Sequence, residues 1–128
     1  MRQEESNIQI SCVKWFRLQH PDKLLIAIPN GGNRNRITGA ILKAEGVTAG
    51  APDLFLFESR LNCHGLAIEM KTSKGKQSPS QRNFQKVIEK AGYKYVVARS
   101  FVEFKNEVEL YLNGFSYVNS SKIDYRVG

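Results

Sequence analysis

Paired cysteines, long apolar runs, internal repeats and histidine-based catalytic patterns are all missing from this 128-residue sequence, and each absence removes a class of function. The two cysteines, Cys12 and Cys63, stand far apart and fit no C-x-x-C spacing, which excludes a cysteine-built zinc site and points to reduced, structural thiols. No run approaches the ~18 apolar residues of a membrane helix. The opening Met1-Arg2-Gln3-Glu4-Glu5 is charged where a signal peptide carries its apolar stretch, so a cytoplasmic protein without membrane contact is expected. His20 and His64 have neither a nucleophile nor a fellow ligand at useful spacing, and neither enters the expected site as a general base. The sequence also lacks the self-similarity of a solenoid and the low complexity of a linker.

What is present is enough for one core. With 41% hydrophobic residues, the chain is expected to form a single domain over residues 1–128, with an ordered part from about 5 to 112 and a tail from 115 to 128. Nineteen Lys and Arg against twelve Asp and Glu leave a formal net charge of +7, which favours a polyanionic partner. The sign alone does not separate a nucleic-acid binder from a basic soluble domain.

Apolar periodicity outlines the elements. Ile8, Cys12 and Phe16 share helical spacing with Glu5 and Gln9, predicting a first helix over about 4–18 that His20-Pro21-Asp22 ends. Residues 24–28 form a short apolar run suited to a buried strand, and Pro29-Asn30-Gly31-Gly32-Asn33 is a loop. A short helix over 38–44 closes at Gly46. Two apolar segments, 53–57 and 66–71, read as a β-hairpin. Ser78-Pro79-Ser80-Gln81 places a capping serine, a proline at the first helical position and a glutamine three residues after the cap, a helix start leading to Gly92. A strand over 93–98 and a helix with Phe101, Phe104, Val108 and Tyr111 on one face follow, ended by Gly114; residues 115–118 suit an edge strand. The order α-β-α-β-β-α-β-α predicts an α/β fold, a mixed central sheet flanked by helices.

Three charges meet in the hairpin. Setting Phe57 opposite Leu66 places Asp53 opposite Met70, within a residue or two, while Glu69 and Lys71, two apart on one strand, share a sheet face. Converging carboxylates repel and raise one another's pKa unless a cation lies between them, and a hard divalent ion prefers oxygen ligands. Glu5 and Gln9 on the first helix, and Gln81 on the third, sit on stripes otherwise apolar, so polar groups turn inward at one end of each helix. A hydrated metal site there would satisfy them.

Gly50-Ala51-Pro52-Asp53-Leu54 followed by Gly65-Leu66-Ala67-Ile68-Glu69-Met70-Lys71 resembles the signature of the PD-(D/E)XK nucleases in the version used by the VRR-NUC family. Pro29-Asn30-Gly31-Gly32, Lys43-Ala44-Glu45-Gly46, the Gln81 helix and Gly92-Tyr93 resemble that family as well, over residues 5–112. The resemblance implies a restriction-endonuclease-like core in which Asp53, Glu69 and the backbone carbonyl of Met70 bind Mg²⁺ or Mn²⁺. Lys71 would orient or activate water, with Glu5 and Gln81 as further site residues. It also implies an endonuclease acting on DNA, structure-specific for branched substrates such as four-way junctions, working as a homodimer in a bacterial or phage-infected cytoplasm. The Val-Arg-Arg triplet behind the family name is replaced here by Val97-Ala98-Arg99-Ser100.

Plainer readings stand beside these. Asp53 could serve a turn, Glu69 and Lys71 an exposed ion pair, Glu5 the helix dipole and Gln81 the capping box with Ser78. Arg34, Arg36 and Lys43 around the Gly-rich loop, and Lys74 and Lys76 after the E-x-K strand, are the expected phosphate contacts. Arg82, Lys86 and Lys90 suit a solvated helix face. A non-catalytic nucleic-acid-binding module with the same fold is the alternative function.

Overall fold

The computed structural model describes residues 2–29, 36–60 and 62–114, without the side chains of residues 2, 36 and 37. The expected Gly-rich loop and Arg34, and the edge strand expected at 115–118, therefore fall outside the described residues beyond Pro29. Eight elements follow in the expected order: α1 Arg2–Gln19, β1 Leu25–Ala27, α2 Arg36–Ala44, β2 Leu54–Leu56, β3 Leu66–Met70, α3 Pro79–Lys90, β4 Lys94–Ala98 and α4 Phe101–Leu112.

The sheet runs β1-β2-β3-β4. β1 with β2 and β2 with β3 are antiparallel, whereas β3 and β4 are parallel, and that last pairing requires the crossover that α3 supplies. The α/β mixed sheet flanked by helices is thus the observed architecture. Alternation along the strands divides the chemistry between two faces. Leu54, Leu56, Leu66, Ile68, Met70, Val96 and Ala98 join Cys12 and Phe16 of α1 and Phe104, Val108 and Tyr111 of α4 in the apolar core. Ala67 and Glu69 face the other way, toward α3, whose Phe84 and Ile88 line a space of about 390 Å³ with Phe55 and Ala67. The helices on the core face are fixed by burial, since Phe16, Phe104 and Val108 are all 0% exposed.

One expectation needs correction. β1 is not a buried strand: Leu25 is buried but Ile26 and Ala27 are exposed, because among the described residues β1 lies at the sheet edge with β2 as its neighbour. The hairpin forms within the residue or two allowed for its register, with Leu56 rather than Phe57 opposite Leu66. Phe57 lies outside the pairing with β3. Its N–H donates to Leu24 O at 3.0 Å, and the connection folds on itself through the Arg60–Cys63 bridge with Asn62 at φ 64°. One further step along the observed register sets Asp53 opposite Glu69 instead of Met70. Among the described residues, no helix is long and apolar enough to cross a membrane.

Candidate active site

Asp53 is delivered by a turn that only glycine can make here. Gly50 has φ +85°, and a Cβ at that position would sit 2.3 Å from Ser80 O and 2.9 Å from Gln81 N. The bare backbone lets the segment before β2 lie directly on the first turn of α3. Ala51 and Pro52 are buried behind it, and Asp53 O accepts the N–H of Ile28 at 2.8 Å, which ties the strand entry to β1. The carboxylate then reaches across to β3, where Asp53 Oδ2 accepts the N–H of Met70 at 2.7 Å.

Glu69 lies on β3 at 3% exposure, and among the described residues it is the buried charged side chain of the core region. Its Oε2 accepts Gln81 Nε2 at 2.9 Å and stands 3.9 Å from Lys71 Nζ. Its Oε1 is buried with no hydrogen-bond partner. Burial, the charge and close approach of the Asp53 carboxyl, and the Glu5 charge raise the Glu69 pKa from 4.5 to about 8, with Lys71 opposing them. Glu69 is buried and one of its carboxyl oxygens lacks a partner, so the exposed ion pair considered for Glu69 and Lys71 does not describe this strand.

Gln81 forms the capping box and also bonds to Glu69. Its backbone N–H donates to Ser78 Oγ at 3.2 Å and its Oε1 accepts the Ser78 N–H at 2.8 Å, which completes the capping box, while its Nε2 reaches Glu69. Met70 has its side chain in the core on the opposite face, so the group it can offer beside the acids is its backbone. Glu5 stands at the margin. It is half-buried and lines, with Gln9 and Asp53, a cleft of about 880 Å³ between α1 and the end of β1.

The donor set fits a small hard cation. Two carboxylates converge, one with a free oxygen, and among the described residues no group of three or more His, Cys, Asp or Glu forms a fuller cage. Mg²⁺ is commonly held by one or two carboxylates with water completing the shell. Lys74 and Lys76 are exposed in the connection from β3 to α3, a few residues beyond Lys71, and Lys43 is exposed in the last turn of α2. The side chain of Arg36 falls outside what is described.

Sequence reasoning missed the packing role of Gly50 and the hydrogen-bond network around Gln77. Gln77 Nε2 donates to Gln85 Oε1 at 2.9 Å and to the Tyr95 hydroxyl at 3.3 Å, and Arg82 Nη1 donates to Gln77 O at 2.8 Å. The glycine ahead of Ala-Pro-Asp was a visible signal; the helix lying against it was not.

The model of the VRR-NUC domain family matches residues 2–102 of the chain. A solved structure described as a VRR_NUC domain protein superposes with a TM-score of 0.73 at 23% identity, covering 93% of this chain and 95% of that one. No curated protein matches the sequence. The solved structure supports the restriction-endonuclease-like fold, and the family match covers most of the chain. The chain belongs to the VRR-NUC domain family, a nuclease domain of the PD-(D/E)XK type.

Proposed function

We propose that this chain is an endonuclease that hydrolyses DNA phosphodiester bonds with Mg²⁺ or Mn²⁺, through Asp53, Glu69 and Lys71. The buried, unpartnered Oε1 of Glu69 beside the Asp53 carboxyl carries the proposal, because a divalent cation relieves both the repulsion and the unmet hydrogen-bonding demand. Asp53, Glu69 and the Met70 carbonyl would hold the ion. When bound, it supplies a lowered pKa for water and charge stabilisation for the phosphate.

The chain's own residues do the positioning. Met70 N–H fixes one Asp53 oxygen and Gln81 Nε2 fixes one Glu69 oxygen, which leaves one oxygen of each to ligate the ion. Lys71 Nζ, 3.9 Å from Glu69 Oε2, adds positive charge where the attacking water and the phosphate meet. The water oxygen bonds to phosphorus as one ester P–O bond breaks, the water proton passes to solvent, and the departing alkoxide is protonated. Glu5, on the cleft wall, would hold part of the water shell. Lys43, Lys74 and Lys76, with Arg34 and Arg36, would contact flanking phosphates.

A small domain offers little surface for reading base sequence, which favours a substrate chosen by shape, such as a flap or four-way junction. Two copies related by a two-fold axis suit cutting both strands of such a substrate. The test is cleavage of duplex, flap and four-way-junction DNA with and without Mg²⁺, beside the molecular mass by light scattering. Asp53→Ala and Glu69→Ala are expected to abolish cutting, and retained cutting by either refutes the site. A chain that binds DNA and leaves every substrate intact with both metals is a binding module instead.

A further inference from the structure

The connection from β3 to α3 carries Lys71 at its start, Lys74 and Lys76 at its crest and Ser78, the cap of the helix bearing Gln81, at its end. Its shape therefore decides where three cations and one amide stand. It is short of internal bonds: Gly75 N–H donates to Thr72 O at 3.1 Å to close one turn. The guanidinium of Arg99 holds that turn from outside. Arg99 Nη1 donates to Thr72 O at 2.9 Å and also to Gly75 O, so one planar donor spans both ends of that turn.

Arg99 is itself firmly held. It stands between β4 and α4, where its N–H donates to Glu103 Oε1 at 2.8 Å, and Glu103 N–H donates to the capping Ser100 Oγ at 3.1 Å. The preceding residue, Ala98, accepts the N–H of Lys71 at 3.0 Å, which extends the parallel ladder by one bond. Gly75 lies against the Lys71 stem, since a Cβ there would stand 3.3 Å from Lys71 Cδ. Lys71 is thus fixed at its backbone by β4 and along its side chain by a glycine whose carbonyl Arg99 holds.

We infer that Arg99 is a positioning residue for Lys71: by clamping the Thr72 and Gly75 carbonyls it keeps the Lys71 ammonium directed at Glu69 and the reaction space. Arg99 does not touch the acids. This inference rests on the nuclease reading above for its kinetic consequence, but the clamp itself has a consequence that needs no activity.

The variant of choice is Arg99→Met, which keeps the apolar stem and removes the donors. Trypsin reads the clamp directly. Lys74 and Lys76 are exposed, so releasing the turn should turn a slowly cut connection in the wild type into the first site cleaved in the variant. An unchanged digestion pattern overturns the inference. In cleavage assays Arg99→Met is expected to lower kcat about 10- to 100-fold through misplacement of Lys71. The decisive readout is the double variant: Arg99→Met adds nothing to Lys71→Ala if it acts through that lysine, and losses that multiply overturn the assignment. A merely structural role would lower thermal stability and multiply. Gly75→Ala crowds the same stem and serves if Arg99→Met does not fold; its kcat loss is likewise expected to vanish in the Lys71→Ala background, and a multiplied loss has the same overturning force. An inactive wild type refutes the nuclease reading alone, and the trypsin comparison then decides the clamp.

Discussion

Replacing Glu69 by glutamine should make the metal-free protein more stable, by an amount that grows with pH. The wild-type carboxyl has a folded pKa of about 8 against an ordinary 4.5, so between those values the folded chain retains a proton that the unfolded chain has released. Stability then falls as pH rises, at about 1.4 kcal/mol per pH unit, starting near 4.5 and levelling off above about 8. Glutamine has no proton to lose. Its Oε1 can accept Gln81 Nε2 as Glu69 Oε2 does, and its NH₂ gives the Asp53 carboxylate a donor in place of a repelling neighbour. Urea unfolding in EDTA at pH 5, 6, 7 and 8 measures the difference directly. The two proteins should be close near pH 5 and diverge steadily toward pH 8, where the variant unfolds at higher urea. Added Mg²⁺ should raise the wild type and leave the variant nearly unmoved. Parallel stability curves in EDTA would refute the account of Glu69 as a carboxyl held against its own ionisation.

The same carboxyl must lose its proton when an ion binds. Calorimetry in buffers of different ionisation enthalpy should find about 0.9 protons released per Mg²⁺ at pH 7 and about 0.1 at pH 9, given a pKa of about 8; equal release at both values contradicts it. Gly50→Ala forces a Cβ into a backbone with φ +85° and to within 2.3 Å of Ser80 O, so chemical denaturation should show a loss of about 2–4 kcal/mol. Removing Lys74 and Lys76 together should reduce the slope of log affinity against log salt by about 1.8 on duplex DNA, measured without divalent metal. An unchanged slope removes them from the phosphate contacts.

Much of this molecule is written in local pattern, and the remainder is not. The capping box of α3 was legible because Ser78 and Gln81 satisfy each other within one turn, needing nothing from the rest of the chain. Helical periodicity likewise placed Cys12 and Phe16 in the core, and alternation separated Glu69 from Ile68 and Met70. The edge position of β1 was hidden because an apolar run does not reveal its neighbours, and strand order is a property of the whole sheet. The exact hairpin register was hidden because the connection folds through the Arg60–Cys63 bridge and Asn62 at φ 64°, which no local pattern announces. The structural roles of Gly50 and Arg99 escaped for a shared reason. Each matters through a segment more than twenty residues away, Ser80 for one and Thr72 for the other.

Gln81 spends its carbonyl on the Ser78 N–H and its amino group on Glu69 Oε2, at 2.8 and 2.9 Å. Its amide orientation is consequently dictated from both ends, and few side chains can replace it. Glutamate has the right length but would confront Glu69 with another negative oxygen; lysine has donors but nothing to accept the Ser78 N–H; asparagine is shorter by a methylene. The start of α3 and the alignment of the acidic centre are therefore one inherited unit, and a change at Ser78, several residues from any proposed ligand, should be felt first at Glu69.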